Sequence, residues 1–228
     1  MKKYIFAFLF VIIGLNANAQ KDVTTFLGIP VDGYKQDMKK ALIAKGFTPS
    51  TVPGSDCLEG EFNGTDVNVF IVTNNNKVYR LMIGDKNVQD AANIKIRFNN
   101  LVRQFSNNAR YLTYDDFTLP EDENISYEMT VHNKIYEAIF YQKPDSEKTD
   151  KQVIQKKIDE ELLSKYTLEQ LANPTEEISK EIESIASQLV LDKMFKKPVW
   201  FRISESLGKY YISIFYDNEY NRANGEDL

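Results

Sequence analysis

The chain holds one histidine and one cysteine among 228 residues. That scarcity bounds its chemistry. General acid–base catalysis, Ser-His-Asp triads and imidazole-rich zinc sites all lean on histidine. His132 reads as a solvated turn residue. Cys57 is predicted to be a small residue at the start of a strand. As a nucleophile it would need a base to form the thiolate, and His132 is the sole imidazole on offer. With one cysteine no internal disulfide forms. Carboxylates are plentiful, and two alone suffice for a glycosidase. Asp115, Asp116, Glu121, Asp122 and Glu123 crowd one loop, but they lack the regular alternation and turn glycine of an EF-hand Ca²⁺ loop. The loop reads as solvated, with no metal assigned. No phosphate-binding glycine loop, Gly-x-Ser-x-Gly elbow or Cys/His cluster appears. No cofactor is implied and no catalytic residue is singled out.

Aromatic side chains are the remaining lead, with 13 Tyr, 14 Phe and 1 Trp. Tyr79, Tyr136 and Tyr211 sit in three similar stretches. Thr73-x-x-Asn76-Lys77-Val78-Tyr79 returns as Thr130-x-x-Asn133-Lys134-Ile135-Tyr136, and more loosely as Gly208-Lys209-Tyr210-Tyr211. If these are equivalent hairpins, the three tyrosines point to equivalent sides, shared with Leu81 and Ile83, Ala138 and Phe140, Ser213 and Phe215. Two readings follow: a core face with hydroxyls at its edge, or a Tyr/Trp platform for a protein or glycan that adds Trp200, Tyr210 and Tyr216. Spacings of 57 and 75 residues are unequal, so the chain is no solenoid.

The elements that must position these residues follow from patterning. Asp32 is expected to cap a helix over about Gly33–Lys45, with Tyr34, Met38, Leu42 and Phe47 on one face and Gly46 just past its end. Leu58–Phe62, the turn Asn63-Gly64, and the hairpin Asp66–Ile83 around Asn74-Asn75-Asn76 predict a three-stranded antiparallel meander. Val69, Phe70, Ile71 and Val72 are consecutive apolar residues, which suggests cover on both sheet faces. A helix from about Val88 to Ser106, started at Asp85–Asn87, carries Ala91, Ile94, Phe98, Leu101, Val102 and Phe105 inward. Tyr111–Thr118 reads as a strand. Ile125–Val131 and Lys134–Tyr141 read as a second hairpin with His132-Asn133 at its tip. Val153, Ile154, Ile158, Leu162 and Tyr166 keep helical spacing. Thr167 to Gln170 has the form of a capping box. Asn173-Pro174-Thr175-Glu176 predicts another, opening a helix to about Phe195 with Ile178, Ile182, Ile185, Leu189 and Val190 inward. Val199–Ser204 and Lys209–Tyr216 form the third hairpin, and Asp217–Leu228 reads as a polar tail or final turn.

Lys2 and Lys3, the apolar run Tyr4–Leu15 and the small-x-small site Ala17-Asn18-Ala19 predict a secretory signal peptide over 1–19. Without it, 26 basic residues face 33 acidic ones. A mildly acidic chain with scattered charge is a poor match for nucleic acid. No later run is long and apolar enough to span a bilayer. The remaining chain divides either into 20–142 and 143–228, at the polar stretch Lys143–Asp150, or not at all.

Phe26-Leu27-Gly28-Ile29-Pro30-Val31-Asp32-Gly33, Gly60-Glu61-Phe62-Asn63-Gly64 and the run from Tyr216 to Leu228 resemble secreted proteins of Bacteroidetes gut bacteria, an uncharacterised family. The order helix, then three-stranded meander, resembles the helix-on-sheet modules of the β-lactamase-inhibitor-protein and BamE type, which bind proteins. The resemblance implies a compartment, periplasmic or secreted, and carries over no binding residue. The expectation is therefore an exported α+β protein, an antiparallel sheet packed by helices. It is read as a non-enzymatic binding or envelope-associated protein, whose partner is another envelope or secreted protein. The alternative is a carboxylate-based hydrolase of envelope or dietary glycans, and a structural subunit of an envelope assembly is a third reading. A hydrolase calls for a pocket with two carboxylates roughly 5–10 Å apart. A binder calls for an exposed apolar patch of several hundred Å².

Overall fold

The computed structural model describes residues 21–145 and 151–223. The expected signal peptide, the polar stretch 146–150 and the end of the tail, 224–228, lie outside the described residues. In chain order the elements are β1 (Thr25–Phe26), β2 (Ile29–Pro30), α1 (Lys35–Ala44), β3 (Thr48–Pro49), β4 (Cys57–Phe62), β5 (Thr65–Asn74), β6 (Lys77–Asp85), α2 (Ala91–Asn107) and β7 (Tyr111–Leu112). There follow α3 (Ile125–Val131), β8 (Glu137–Gln142), α4 (Lys151–Lys165), α5 (Leu168–Ala172), α6 (Glu176–Met194), β9 (Pro198–Ser206) and β10 (Lys209–Asp217). The fold is α+β. Eight strands form one antiparallel sheet in the order β3-β4-β5-β6-β10-β9-β8-β7, and β1 and β2 make a small separate hairpin.

The meander forms because its turns carry the right residues. Asn63 (φ 56°) and Gly64 (φ 72°), then Asn75 (φ 47°) and Asn76 (φ 61°), all take left-handed backbone, which asparagine and glycine tolerate. One face of the sheet is then set by alternation. Leu58, Val67, Val69, Ile71, Leu81, Ile83, Ala138, Phe140, Phe201, Ile212 and Ile214 are buried against the helices. Met38 and Leu42 of α1 and the α2 stripe Ile94, Phe98, Leu101, Val102 and Phe105 meet them, as the spacing predicts. Gly60 is needed here, because a Cβ on it would lie 2.6 Å from the Phe47 ring. At the edge of this core Arg97 of α2 clasps Asp85 through Nε (2.7 Å) and Nη2 (2.5 Å).

Strand β10 joins the two halves of the sequence, pairing with β6 on one side and β9 on the other. Strands from both sides of Lys143–Asp150 thus share a single sheet and a single core. The chain after β10 ties back to its beginning. Asn218, fully buried, donates from Nδ2 to the Val31 carbonyl (2.7 Å) and from its backbone N–H to the Tyr79 carbonyl (2.7 Å). Asn221 Nδ2 donates to Asp32 Oδ1 and to the Val78 carbonyl. The start of the expected tail is therefore a clasp. Helices α4 to α6 have their own small cluster of Ile158, Leu162 and Ile185. The side chains of Val153, Ile154 and Val190 lie outside the described ones. Among the described residues no helix is long and apolar enough to cross a membrane.

Several expectations are corrected. Residues Ile125–Val131 are a helix, not half of a hairpin. Asn124 Oδ1 accepts from the Tyr127 N–H (3.1 Å) and starts it. Asn133 (φ 53°) ends it in left-handed backbone, and the Lys134 N–H reaches back to the Glu128 carbonyl (3.1 Å). Asn76 and Asn133 share the same backbone preference in two different structures, which is why the two stretches looked alike. Strand β8 pairs with β7 and β9 instead. Of Tyr111–Thr118 only Tyr111–Leu112 is strand. The cap of α2 is Asp90, accepting from the Asn93 N–H (2.8 Å), because β6 runs on through Asp85 and the helix starts only at Ala91. The cap of α6 is Thr175, because Asn173 closes α5. The cap position of α1 is Tyr34, because the Asp32 carboxylate accepts from the Gly33 N–H and from Asn221. The capping box at Thr167 and Gln170 forms as expected.

Candidate interaction face

Every strand has a second side. On the side away from α1, α2 and α3, the register aligns one residue from each of six neighbouring strands. Cys57 is opposite Phe70, Phe70 opposite Met82, Met82 opposite Phe215, Phe215 opposite Trp200, and Trp200 opposite Ile139. This apolar row crosses the sheet from β4 to β8. Beside it run Val72, Arg80 and Asp217, and Tyr141 opposite Pro198. On its other flank run Glu59, Asn68, Gly84, Ser213, Arg202 and Glu137. Phe70, Met82, Trp200 and Ile139 are half-buried. None of these four, nor Phe215, belongs to either hydrophobic cluster.

The centre of the face is rigidly built. Trp200 and Phe215 stand side by side from neighbouring strands, ring centroids 3.9 Å apart and planes within 16°. Arg80 donates to Asp217 through Nε and through its Nη2, both at 2.7 Å. Trp200 Nε1 donates to the same carboxylate at 3.0 Å. The guanidinium carbon lies 5.1 Å from the Phe215 ring centre and 5.3 Å from that of Trp200, within cation–π range. The two-pronged bond to Asp217 holds the Arg80 pKa above its ordinary value, against the opposing pull of burial. The Asp217 side chain is 4% exposed and that of Arg80 22%. The pair is largely out of water, so removing either partner strands a charge.

A bulge shapes one border. Val72 pairs with Arg80 and Thr73 with Val78, which leaves Tyr79 as the extra residue. It lets Val78 and Leu81, three apart, both face the core, and Tyr79 falls out of phase with its strand.

The six aromatic candidates divide. Trp200, Tyr79 and Tyr211 are half-buried, and Trp200 and Tyr211 stand on the open face. Tyr136, Tyr210 and Tyr216 are core residues on the covered side, at 2–3% exposure. Their hydroxyls find internal partners: Tyr136 bonds Glu123, Tyr210 donates to Ser126 Oγ at 2.9 Å, and Tyr216 meets Tyr111. Burial, then Glu123, pushes the Tyr136 pKa up. The expected equivalence of Tyr79, Tyr136 and Tyr211 does not hold. Leu81, Ile83, Ala138 and Phe140 face the helices, whereas Ser213 and Phe215 face the other way. Arg80, Asp217, Phe70, Met82 and Ile139 belong to the face and were not singled out. The unbroken apolar run Val69–Val72 points to Phe70 alone.

The other groups are engaged locally. His132 is exposed, with Nδ1 2.8 Å from Glu128 Oε2. Cys57 is buried beside Ser55 Oγ. In the acidic loop Asp116 accepts from the Thr118 N–H and Glu123 from Lys134. Among the described residues no three metal-ligating side chains converge. Asp22, which lines a cleft, is held by Lys197 at 2.7 Å. No family model, no curated protein and no solved structure matches the chain.

Proposed function

We propose that this is an exported, non-enzymatic binding protein that recognises another protein through the open face of its sheet, with Trp200 at the centre. The single observation that carries the reading is the six-strand apolar row that neither internal core reaches. The Val69–Val72 run is that of a strand covered on both faces, yet among the described residues helices pack on one, and on the other Phe195 at the end of α6 reaches Tyr141 on β8. Shape favours a protein over a glycan. Sugars stack on the flat faces of exposed rings, whereas Trp200 and Phe215 turn their faces to each other and present edges. Edges and methyl groups, with Met82, Val72 and Ile139 around them, make a packing surface for a helix or sheet. Lys2, Lys3 and the apolar run to Leu15 support export. The envelope or the surrounding medium is then where the partner resides.

The test is affinity capture from envelope and medium fractions with three proteins: wild type, Met82→Lys and the control Ile43→Lys on the exposed side of α1. A partner retained by wild type and the control, and lost with a Met82→Lys variant that still melts cooperatively within a few degrees of wild type, supports the reading. Equal capture by all three removes this face from the account.

A further inference from the structure

A cleft opens on the covered side of the sheet, where the β1–β2 turn, the β4–β5 turn and the end of α2 converge. Its volume is about 560 Å³, within the range of small-molecule sites. Phe62, Phe105 and Tyr111 give it an aromatic floor. Leu27 stands on its wall with φ 51°, a left-handed conformation rare for leucine, and is 42% exposed.

The polar groups here are unbalanced. Gln142 uses its amide on the Thr25 backbone, accepting from the N–H (2.8 Å) and donating to the carbonyl (2.7 Å), and also donates to the Tyr111 hydroxyl (3.1 Å). The Tyr111 and Tyr216 hydroxyls meet each other. One O–H can serve the other oxygen. The second O–H then has no acceptor among the described residues. Arg110 adds five N–H donors. It gives one bond to Thr25 Oγ1 (3.2 Å) and pairs with no carboxylate among the described residues. Burial keeps Tyr216 protonated by raising its pKa well above the ordinary value. The Arg110 side of the cleft thus offers an exposed guanidinium and a spare hydroxyl donor beside an apolar floor, with the Glu61 carboxylate on the opposite rim.

We propose that this cleft binds a small apolar carboxylic acid in its ionised form. The carboxylate accepts from Arg110 and from the tyrosine pair, and the hydrocarbon body lies on Phe62 and Phe105 beside Leu27. Glu61, exposed on the rim, opposes the anion and gives the proposal a handle of opposite sign. The site lies across the sheet from the Trp200 row and stands independently of the protein-binding reading.

Saturation-transfer NMR with the full exported chain tests it, using phenylacetate and hexanoate against phenethylamine and hexylamine. Both acids should bind, with the amines at least about tenfold weaker. Arg110→Gln should weaken the acids about tenfold through loss of a charge-assisted bond, and Glu61→Gln should tighten them roughly twofold by removing repulsion. Thermal melts confirm that both variants fold. No transfer to either acid, equal binding of the amines, or Arg110→Gln and Glu61→Gln variants that both bind like wild type would each overturn it.

Discussion

The two faces of the sheet are built from the same kinds of side chain and meet different fates. The covered face pairs Phe98 with Phe201 edge-on at 5.1 Å, and Phe140 with Phe201 stacked at 6.0 Å, under two amphipathic helices. The open face carries Phe70, Met82, Phe215, Trp200 and Ile139, with an ion pair at its centre and no internal core upon it. The fold needs the first face. The second buries Phe215 (5% exposed) yet leaves Phe70, Met82, Trp200 and Ile139 only half-covered, apolar surface whose burial is gained only when something covers it. Composition alone cannot separate the two, because alternation says that a strand has two faces and not which one the chain itself will cover.

The largest effect should come from the covered face. Phe201→Ala removes a fully buried ring that touches three others and is expected to cost about 3–5 kcal/mol, read by urea unfolding. An equal loss from Phe70→Ala would break the contrast between faces. Next is Asp217→Ala. It strands Arg80 and the Trp200 N–H together, and a loss of about 3 kcal/mol is expected. The double change Arg80→Met with Asp217→Leu should recover most of it, since an apolar pair replaces a buried ionic one. A smaller effect, about 1 kcal/mol or less, is expected for Met82→Lys, whose side chain reaches water. The same change should abolish partner capture.

A site on neither face calibrates the scale. Three turns of the sheet take consecutive left-handed residues: Asn63-Gly64, Asn75-Asn76 and Leu207-Gly208. Leu207 has φ 54° and is 99% exposed. Leu207→Asn should therefore stabilise by about 1 kcal/mol, seen as a higher midpoint in urea. The smallest effect is on pH dependence at the edge of the covered face. Glu123 is held below the ordinary 4.5, first by its bond from Lys134 and then by that from Tyr136. A carboxylate with a lowered folded pKa gives stability that is complete above the unfolded value and is lost as pH falls through the folded one. Lys134→Met should lower stability slightly and evenly above about pH 5 and cost progressively less below it, so that the profile flattens on the acid side.

Local chemistry explains what was legible in the sequence. The meander, the α2 stripe, the third hairpin and the capping box at Thr167 rest on turn residues, helical spacing and caps that act within a few positions. The misread second hairpin rests on Asn133, whose preference for left-handed backbone suits a turn and a helix end alike. The face around Trp200 was half legible. Trp200 was singled out for its type, but Arg80 and Asp217 are 137 positions apart, and strand order alone brings them together. Residue type alone leaves Tyr210 and Tyr216 open to a core or a surface reading, and the position of β10, central in the sheet, buries them.

Oxidative footprinting of the protein, free and with its captured partner, tests the central claim most directly. Met82 and Trp200 report the open face, and Met38, at 2% exposure, reports the covered one. The expected result is that Met82 and Trp200 react in the free protein and become protected in the complex, while Met38 stays silent in both. Reactive Met82 and Trp200 in the complex would place recognition elsewhere, and silence of both in the free protein would mean the face is already covered.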